Sequence, residues 1–391
     1  MSKYLTVGAS FIIMLCIGSV YAWSIIATEL IAEFGFSASQ TQLIFGALIA
    51  IFPVTMILVG QLGRRVNHRI LGYISGFFLL SGYTLASFSE GNFILILTGI
   101  GIMGGIATGF GYWVAITLPV KWFPDRKGLI TGVAAAGFGL GAVFMSEIAG
   151  IILKSELGVM QLLRVVGISY GIIILLFSNF IKTPTSTSTI ATHKVQIADF
   201  IFTKTFRRLF IGILLGTFAG LLIIGSLGLI GNHYNIPASY LIHGVALFAV
   251  ANFAGRLTWG FFSDNLGANL TIFLALLLQS LSIASLVVFN LSGFSFLTIS
   301  FLIGFGFGGN FVLFAKETAQ VFGVDNLGLI YPYVFLGYAI AGILGPMSGG
   351  ALFDLSGSFT KAIILASLIS LAGSILFLNQ VITLRKNEPS Q

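Results

Sequence analysis

The sequence predicts an all-α membrane protein whose twelve transmembrane helices form two six-helix halves. Of its 391 residues, 57% are hydrophobic and only 8% are charged, which excludes an ordinary soluble globule. A helix that spans the membrane needs about 20 largely apolar residues. The chain contains twelve such stretches separated by polar breaks, at residues 5–30, 40–62, 70–88, 93–118, 128–153, 164–181, 209–231, 238–262, 270–289, 293–315, 327–352 and 362–384.

The division into halves follows from a repeat with an offset close to 200 residues. Gly60 begins the segment GQLGRRVNHR after the second span, and Gly260 begins GFFSDNLGAN at the end of the eighth. Phe123 in KWFPDRKGL and Phe322 in QVFGVDNLGL are 199 residues apart. Such parallel repeats occur in large secondary transporters. The predicted halves are 1–181 and 209–391, and the Ser-, Thr- and Pro-rich segment 182–208 is the predicted cytoplasmic linker.

The basic residues predict the orientation of the chain in the membrane. The net charge is +7, but the Lys and Arg residues lie in separate breaks and form no continuous basic face for nucleic acid. Fifteen of the nineteen lie at the termini or in even-numbered breaks, Lys316 among them, and three lie in odd-numbered breaks. The positive-inside rule therefore predicts a multi-pass protein of the inner or plasma membrane with both termini cytoplasmic.

The remaining basic residue, Arg256, lies inside the eighth span. A charge at membrane depth costs about 2.5–3.5 kcal/mol on insertion scales, so it normally faces a protein interior or a watery cavity. Asn252 precedes Arg256 by four residues and lies on nearly the same helix face. Guanidinium and amide donors together can bind a carboxylate. The alternative is a snorkelling arginine, because Arg256 is near the predicted cytoplasmic end of the span.

Two longer segments resemble a known family. The phrase YWVAITLPVKWFPDRKGLITGVAAAGFGLGA (112–142) and the first-span segment YAWSIIATELIAEFGFS resemble the major facilitator superfamily, within it the oxalate/formate antiporter and monocarboxylate porter group. The superfamily's loop signature is only partly kept, because Arg64 occupies its acidic position in the first half whereas Asp264 is retained in the second. The resemblance implies the major facilitator fold and a substrate-binding arginine at Arg256.

The resemblance also implies further site residues. Tyr112 matches an aromatic residue that contacts substrate in the family. Asn252 stands where proton-coupled porters often have aspartate, and an amide cannot titrate. Tyr338 stands where oxalate-carrying relatives have a lysine. A single intramembrane cation, in place of two, favours a substrate with one negative charge. Tyr338 then either donates an uncharged hydrogen bond to the substrate or packs against neighbouring residues.

Other polar residues inside the spans have two open interpretations. Tyr21 of the first span and Asn310 of the tenth either line a cavity or pack against neighbouring helices. Glu147 of the fifth span either carries a coupling proton or reaches water at the membrane rim. Tyr338 belongs to an eleventh span that Pro332 and Pro346 are expected to interrupt.

Several functions are disfavoured by what the sequence lacks. Cys16 is the only cysteine, so an intrachain disulfide is excluded and a cysteine-based metal site is disfavoured. The sequence has no GxxxxGK[ST] loop for ATP and no pattern of catalytic residues, and we expect neither a cofactor nor a metal.

The predicted function is secondary active transport of small organic monocarboxylates such as formate, lactate or pyruvate. Transport proceeds across the lipid bilayer by alternating access, as symport or exchange, with protons as a candidate coupling ion. Substrate is expected near the interface of the halves, between Arg256 and Asn252 on one side and Tyr112 on the other. The alternatives are an exchanger of dicarboxylates or other organic anions, or a non-transporting membrane sensor of the same fold.

Overall fold

The computed structural model describes residues 2–36, 38–63, 65–154, 157–184 and 196–387, which are almost entirely helical. Three short 3₁₀ segments, Gly18–Ala22, Pro124–Arg126 and Val324–Asn326, and a π-helical segment, Leu97–Gly104, accompany the α-helices. The α-helices are α1 (Ser2–Ile17), α2 (Trp23–Phe34), α3 (Ala38–Leu62), α4 (His68–Ser87), α5 (Phe93–Ile96), α6 (Gly105–Trp122), α7 (Lys127–Lys154), α8 (Gly158–Ser178), α9 (Ile197–Ile201), α10 (Lys204–His233), α11 (Ala238–Leu266), α12 (Ala268–Val288), α13 (Gly293–Phe322), α14 (Leu327–Ser356) and α15 (Thr360–Asn387).

The twelve predicted spans correspond to twelve long helical stretches in the described part of the chain. The first comprises α1, the 3₁₀ segment and α2, and the fourth comprises α5, the π segment and α6. Within the described residues, eleven stretches are long and apolar enough to cross a membrane. The other long helix is α11, which contains both Arg256 and Asp264. The all-α membrane fold predicted from composition is therefore confirmed.

The predicted linker, 182–208, contains more helix than its composition indicates. Helix α9 lies inside it and α10 begins at Lys204. A capping box between Gln196 and Asp199 starts α9, and Phe200 is buried against Phe206, with the ring centroids 5.4 Å apart. Residues 185–195 of the linker, and Arg64 of the loop signature, lie outside the described residues.

The chain groups into two compact units. The first contains Met1–Pro124, Val133–Thr189 and Leu327–Pro332, and the second contains Asp125–Gly132, Ile190–Asn326 and Tyr333–Gln391. The start of α7 thus groups with the second unit, and the start of α14 groups with the first. The boundaries predicted from the sequence, 1–181 and 209–391, stay a prediction.

Within the second unit, α11 and α13 pack closely because glycines occupy their contact face. A Cβ atom at Gly255 would overlap the backbone of Phe305, and one at Gly304 would overlap the backbone of Phe248. Small residues allow such close helix packing in membranes, where burial of apolar surface gives no advantage over lipid. The close approach positions the residues of α13 directly beside those of α11.

Candidate functional site

Arg256 and Asn252 lie one turn apart on α11 and are joined by a hydrogen bond. Arg256 Nε donates to Asn252 Oδ1 at 2.8 Å. Arg256 has no exposed surface, and Asn252 is 3% exposed. A snorkelling arginine keeps its charged head in water, whereas this guanidinium is buried inside the protein. The amide therefore orients a buried cation.

Phe311 of α13 lies against the guanidinium of Arg256. The distance from Arg256 Cζ to the centroid of the Phe311 ring is 4.3 Å, within the range of a cation–π interaction. Gly308 permits this contact, because a Cβ atom there would overlap the carbonyl oxygen of Asn252. Sequence reasoning missed Phe311, which is one of 38 phenylalanines. The glycines of GFGFGGNF were the available signal for a close helix approach.

Tyr338 of α14 extends the contacts around Arg256. Its ring makes an edge contact with Phe311 at 5.5 Å and stacks on Phe335 at 4.9 Å. Tyr338 has no exposed surface. We call Asn252, Arg256, Phe311, Phe335 and Tyr338 the arginine cluster, and all five residues belong to the second unit.

The expected interruption of the eleventh span is wrong. Helix α14 is continuous from Leu327 to Ser356 and includes both Pro332 and Pro346. A proline removes one backbone donor, but neighbouring helices and local adjustments satisfy the freed carbonyl in membrane helices. Tyr338 is therefore held on an unbroken helix.

Tyr112 and Tyr21 lie in an aromatic cluster of the first unit. The Tyr112 ring makes edge contacts with Phe52 at 5.0 Å and with Phe138 at 5.5 Å. Tyr21 makes an edge contact with Phe138 at 5.2 Å. Tyr112 is 1% exposed. The parts of Tyr112 and Tyr21 in substrate binding stay predictions.

Asn310 and Glu147 lie outside both aromatic groupings. Asn310 Nδ2 donates to Gln279 Oε1 at 3.2 Å and to the Phe307 carbonyl oxygen at 3.1 Å. Gln279 in turn donates to the carbonyl oxygen of Gly216 at 2.8 Å. These bonds connect α10, α12 and α13. Glu147 is exposed on α7, and substrate contact by Asn310 and proton transfer by Glu147 stay predictions.

A second polar feature of this unit is the ion pair between Asp264 and Lys316. Lys316 Nζ lies 3.0 Å from Asp264 Oδ1 and also donates to the Ser263 carbonyl oxygen. The carboxylate accepts backbone N–H bonds from Gly128 and Leu129, each at 2.9 Å. The placement of Lys316 in a break after the tenth span is wrong, because α13 continues to Phe322 and buries Lys316 to 5% exposure.

Glu317, the next residue of α13, is also buried, with 2% exposure. Its Oε1 accepts a hydrogen bond from Asn269 Nδ2 at 2.8 Å and lies 3.7 Å from an Arg208 guanidinium nitrogen. We call Arg208, Asp264, Lys316 and Glu317 the charged cluster. Separately, no group of three or more His, Cys, Asp or Glu side chains able to hold a metal ion occurs within the described ranges.

A family model described as the Major Facilitator Superfamily matches residues 8–328 and 209–391. The chain belongs to the Major Facilitator Superfamily. A structure of the superfamily transporter FucP in the outward conformation has the same fold, with a TM-score of 0.71 at 15% identity, covering 97% of this chain and 99% of FucP. The protein is therefore a multi-pass membrane protein of a transporter family.

Two superfamily relatives match most of the chain, and a third matches less than half of it. The uncharacterized MFS-type transporter YhjX of Escherichia coli (strain K12) is 26% identical over 350 residues, 88% of this chain and 86% of YhjX. The oxalate:formate antiporter of Oxalobacter formigenes is 25% identical over 365 residues, 91% of this chain and 86% of the antiporter. Monocarboxylate transporter 7 of Homo sapiens is 27% identical over 180 residues, 45% of this chain and 34% of that transporter. The predicted similarity to both groups is confirmed.

Proposed function

We propose that this superfamily member is a secondary transporter of small organic monocarboxylates, such as formate, lactate or pyruvate. Gradients drive alternating access of its two halves, as symport or exchange. The proposed location is the inner or plasma membrane, with both termini cytoplasmic. The similarity to an oxalate:formate antiporter and to a monocarboxylate transporter supports this substrate class.

The main observation behind the proposal is the burial of Arg256. Its guanidinium is permanently charged and has no exposed surface. Asn252 and Phe311, which orient it, are both neutral. Basic residues inside membrane proteins normally serve a function there, and a substrate carboxylate has two oxygens that match the guanidinium donors.

The surroundings of Arg256 favour one carboxylate per substrate. Tyr338, which contacts Phe311, supplies a neutral hydroxyl. Two other cations of the second unit, Lys316 and Arg208, lie 3.0 and 3.7 Å from Asp264 and Glu317. The second charge of a dicarboxylate would therefore be buried beside neutral groups, which is costly.

Uptake into proteoliposomes tests the proposal. Purified protein is reconstituted, and uptake of labelled formate, lactate, pyruvate and oxalate is measured for wild type, Arg256→Lys and Arg207→Lys. Lysine keeps the charge but loses the planar two-pronged geometry, so we expect about a tenfold loss of affinity for the transported acid in Arg256→Lys. Arg207 is an exposed arginine of the same unit, and Arg207→Lys should behave like wild type. Equal affinity in all three proteins would contradict carboxylate binding at Arg256.

Exchange of dicarboxylates is the second candidate, and the similarity to the oxalate:formate antiporter favours it. Vesicles loaded with unlabelled oxalate distinguish it from the first. Faster uptake of labelled oxalate than of labelled formate or pyruvate would support the second candidate and contradict the first. A folded protein that moves none of these acids would instead support the non-transporting sensor.

A further inference from the structure

Glu317 is a buried acidic residue that binding of a carboxylate at Arg256 does not use. It lies six residues after Phe311 on α13, about 9 Å along the helix axis. Buried carboxylates in membrane proteins are paired with other groups and often serve proton or ion movement. A comparison of its contacts with those of Asp264 separates a structural role from a role in proton movement.

Asp264 is the more closely held acid of the charged cluster. It accepts two backbone N–H bonds, from Gly128 and Leu129, and Lys316 Nζ lies 3.0 Å away. These partners fix Asp264 in place, so we assign it a structural role in the charged cluster.

Glu317 is held by fewer donors. Both of its described contacts, from Asn269 at 2.8 Å and from Arg208 at 3.7 Å, reach the same oxygen, Oε1. The Arg208 contact is long for a charge-assisted hydrogen bond. Arg208 Nε and Asn269 Oδ1 are themselves buried without a hydrogen-bond partner in the described part of the protein. A water molecule beside the Glu317 carboxyl group can bridge such a donor and acceptor.

The elements packed around Glu317 contribute both signs of charge. Helix α10 contributes Arg208, α13 itself contributes Lys316, and α11 contributes Asp264, which pairs with Lys316. Helix α12 contributes the neutral Asn269. A monocarboxylate bound at Arg256 adds one negative charge to this unit, and a proton on Glu317 cancels it.

We infer that Glu317 takes up the proton that accompanies a monocarboxylate during transport. A proton from hydronium forms an O–H bond with a Glu317 carboxylate oxygen and leaves one water molecule; the reverse step returns the proton to water. Uptake of one anion and one proton keeps the buried charge of the unit constant, which lowers the cost of moving the loaded site. This inference rests on the proposed function, and it assigns the coupling proton to Glu317 and not to the exposed Glu147.

The test separates substrate exchange from proton movement. Proteoliposomes contain a trapped pH-sensitive dye, and valinomycin with equal potassium on both sides removes the membrane potential. Counterflow of labelled pyruvate at equal pH reports binding and reorientation. Internal acidification after addition of external pyruvate reports proton entry, with protein-free vesicles as the leak control.

Glu317→Gln keeps the side-chain size but cannot carry a proton. We expect this variant to retain pyruvate counterflow and to lose pyruvate-driven acidification, whereas Glu317→Asp keeps both. Glu147→Gln tests the alternative proton carrier, and under this inference it keeps both activities. If Glu317→Gln does not fold, the double variant Glu317→Gln, Arg208→Gln takes its place. It removes both charges of the pair, so neither charge is left buried without the other. We expect it to lose pyruvate-driven acidification as well.

The outcomes distinguish the inference from the proposed function. Acidification that persists in Glu317→Gln, or that is lost in Glu147→Gln instead, overturns the inference. Wild-type counterflow without any acidification overturns the inference but leaves monocarboxylate transport standing. Absence of both counterflow and uptake in folded wild type overturns the proposed function, and the inference with it.

Discussion

The guanidinium carbon of Arg256 lies 4.3 Å from the centre of the Phe311 ring. The two residues are on α11 and α13, and they meet because Gly255, Gly304 and Gly308 allow the backbones of these helices to approach closely. The aromatic face attracts the cation, while Asn252 fixes the guanidinium by a hydrogen bond. The position of the proposed carboxylate-binding group thus depends on α13 as much as on its own helix.

Replacement of Phe311 by leucine should weaken substrate binding without changing the charge of the site. A cation–π interaction is worth about 0.5–2 kcal/mol, so affinity should fall by about two- to thirtyfold. Uptake kinetics and ligand-induced thermal shifts measure the change. Phe305→Leu is the control, since Phe305 is on the same helix and packs against Trp259, not Arg256. An equal loss in both variants would indicate a general packing effect.

Replacement of Tyr338 by lysine should shift substrate preference towards a dianion. Tyr338 is fully buried and contacts Phe311, so a lysine there adds a second cation to the arginine cluster. Oxalate should then raise the melting temperature and compete with pyruvate uptake more strongly than in wild type. Tyr338→Phe removes only the hydroxyl and should keep the monocarboxylate preference. No gain in oxalate binding would contradict the charge-matching argument.

Asp264→Asn should destabilise the protein, because it leaves the charge of Lys316 without its carboxylate partner. Loss of one partner of a buried pair costs about 3–5 kcal/mol, whereas removal of both is often neutral. The Asp264 side chain is partly exposed, at 17%, whereas that of Lys316 is buried, at 7%, so we expect a smaller loss of about 2 kcal/mol. Thermal unfolding in detergent measures the loss.

The double variant Asp264→Asn, Lys316→Met is the control for this ion pair. It removes both charges and should recover most of the lost stability. A double variant as unstable as Asp264→Asn would show instead that the bonds to Gly128 and Leu129 dominate.

Gly308→Ala should lower both stability and substrate affinity. The new Cβ atom would overlap the Asn252 carbonyl oxygen, so α11 and α13 must separate, at a cost of about 1–3 kcal/mol. Gly350→Ala is the matched control, because its Cβ atom would meet no atom within 4 Å. Alanine there should leave stability unchanged or raise it by up to about 1 kcal/mol. Equal melting temperatures for the two variants would contradict this packing argument.

The helices were predictable because lipid imposes a simple requirement. Every backbone polar group in the hydrocarbon must be satisfied internally, so apolar runs of sufficient length are helices, and the predicted spans correspond to the described ones. The pairing of Asn252 with Arg256 was accessible for a related reason, since residues four apart share a helix face. Spacing within one helix does not predict which residues of neighbouring helices a side chain contacts.

The errors occurred where tertiary contacts override local sequence. The charge of Lys316 predicts a loop position, but Lys316 lies in α13, where Asp264 of α11 compensates its charge. Pro332 predicts an interruption of a helix that is continuous in the structure.

By itself, the sequence determined a polytopic helical protein with an arginine at membrane depth and an amide on the same helix face, because hydropathy and helical periodicity are local properties. Only the tertiary structure decided that this arginine is fully buried, that Phe311 and Tyr338 complete its surroundings, and that Glu317 is a buried acid with few donors. These contacts join helices distant in sequence, and they depend on glycines whose close packing no spacing rule within one helix can reveal.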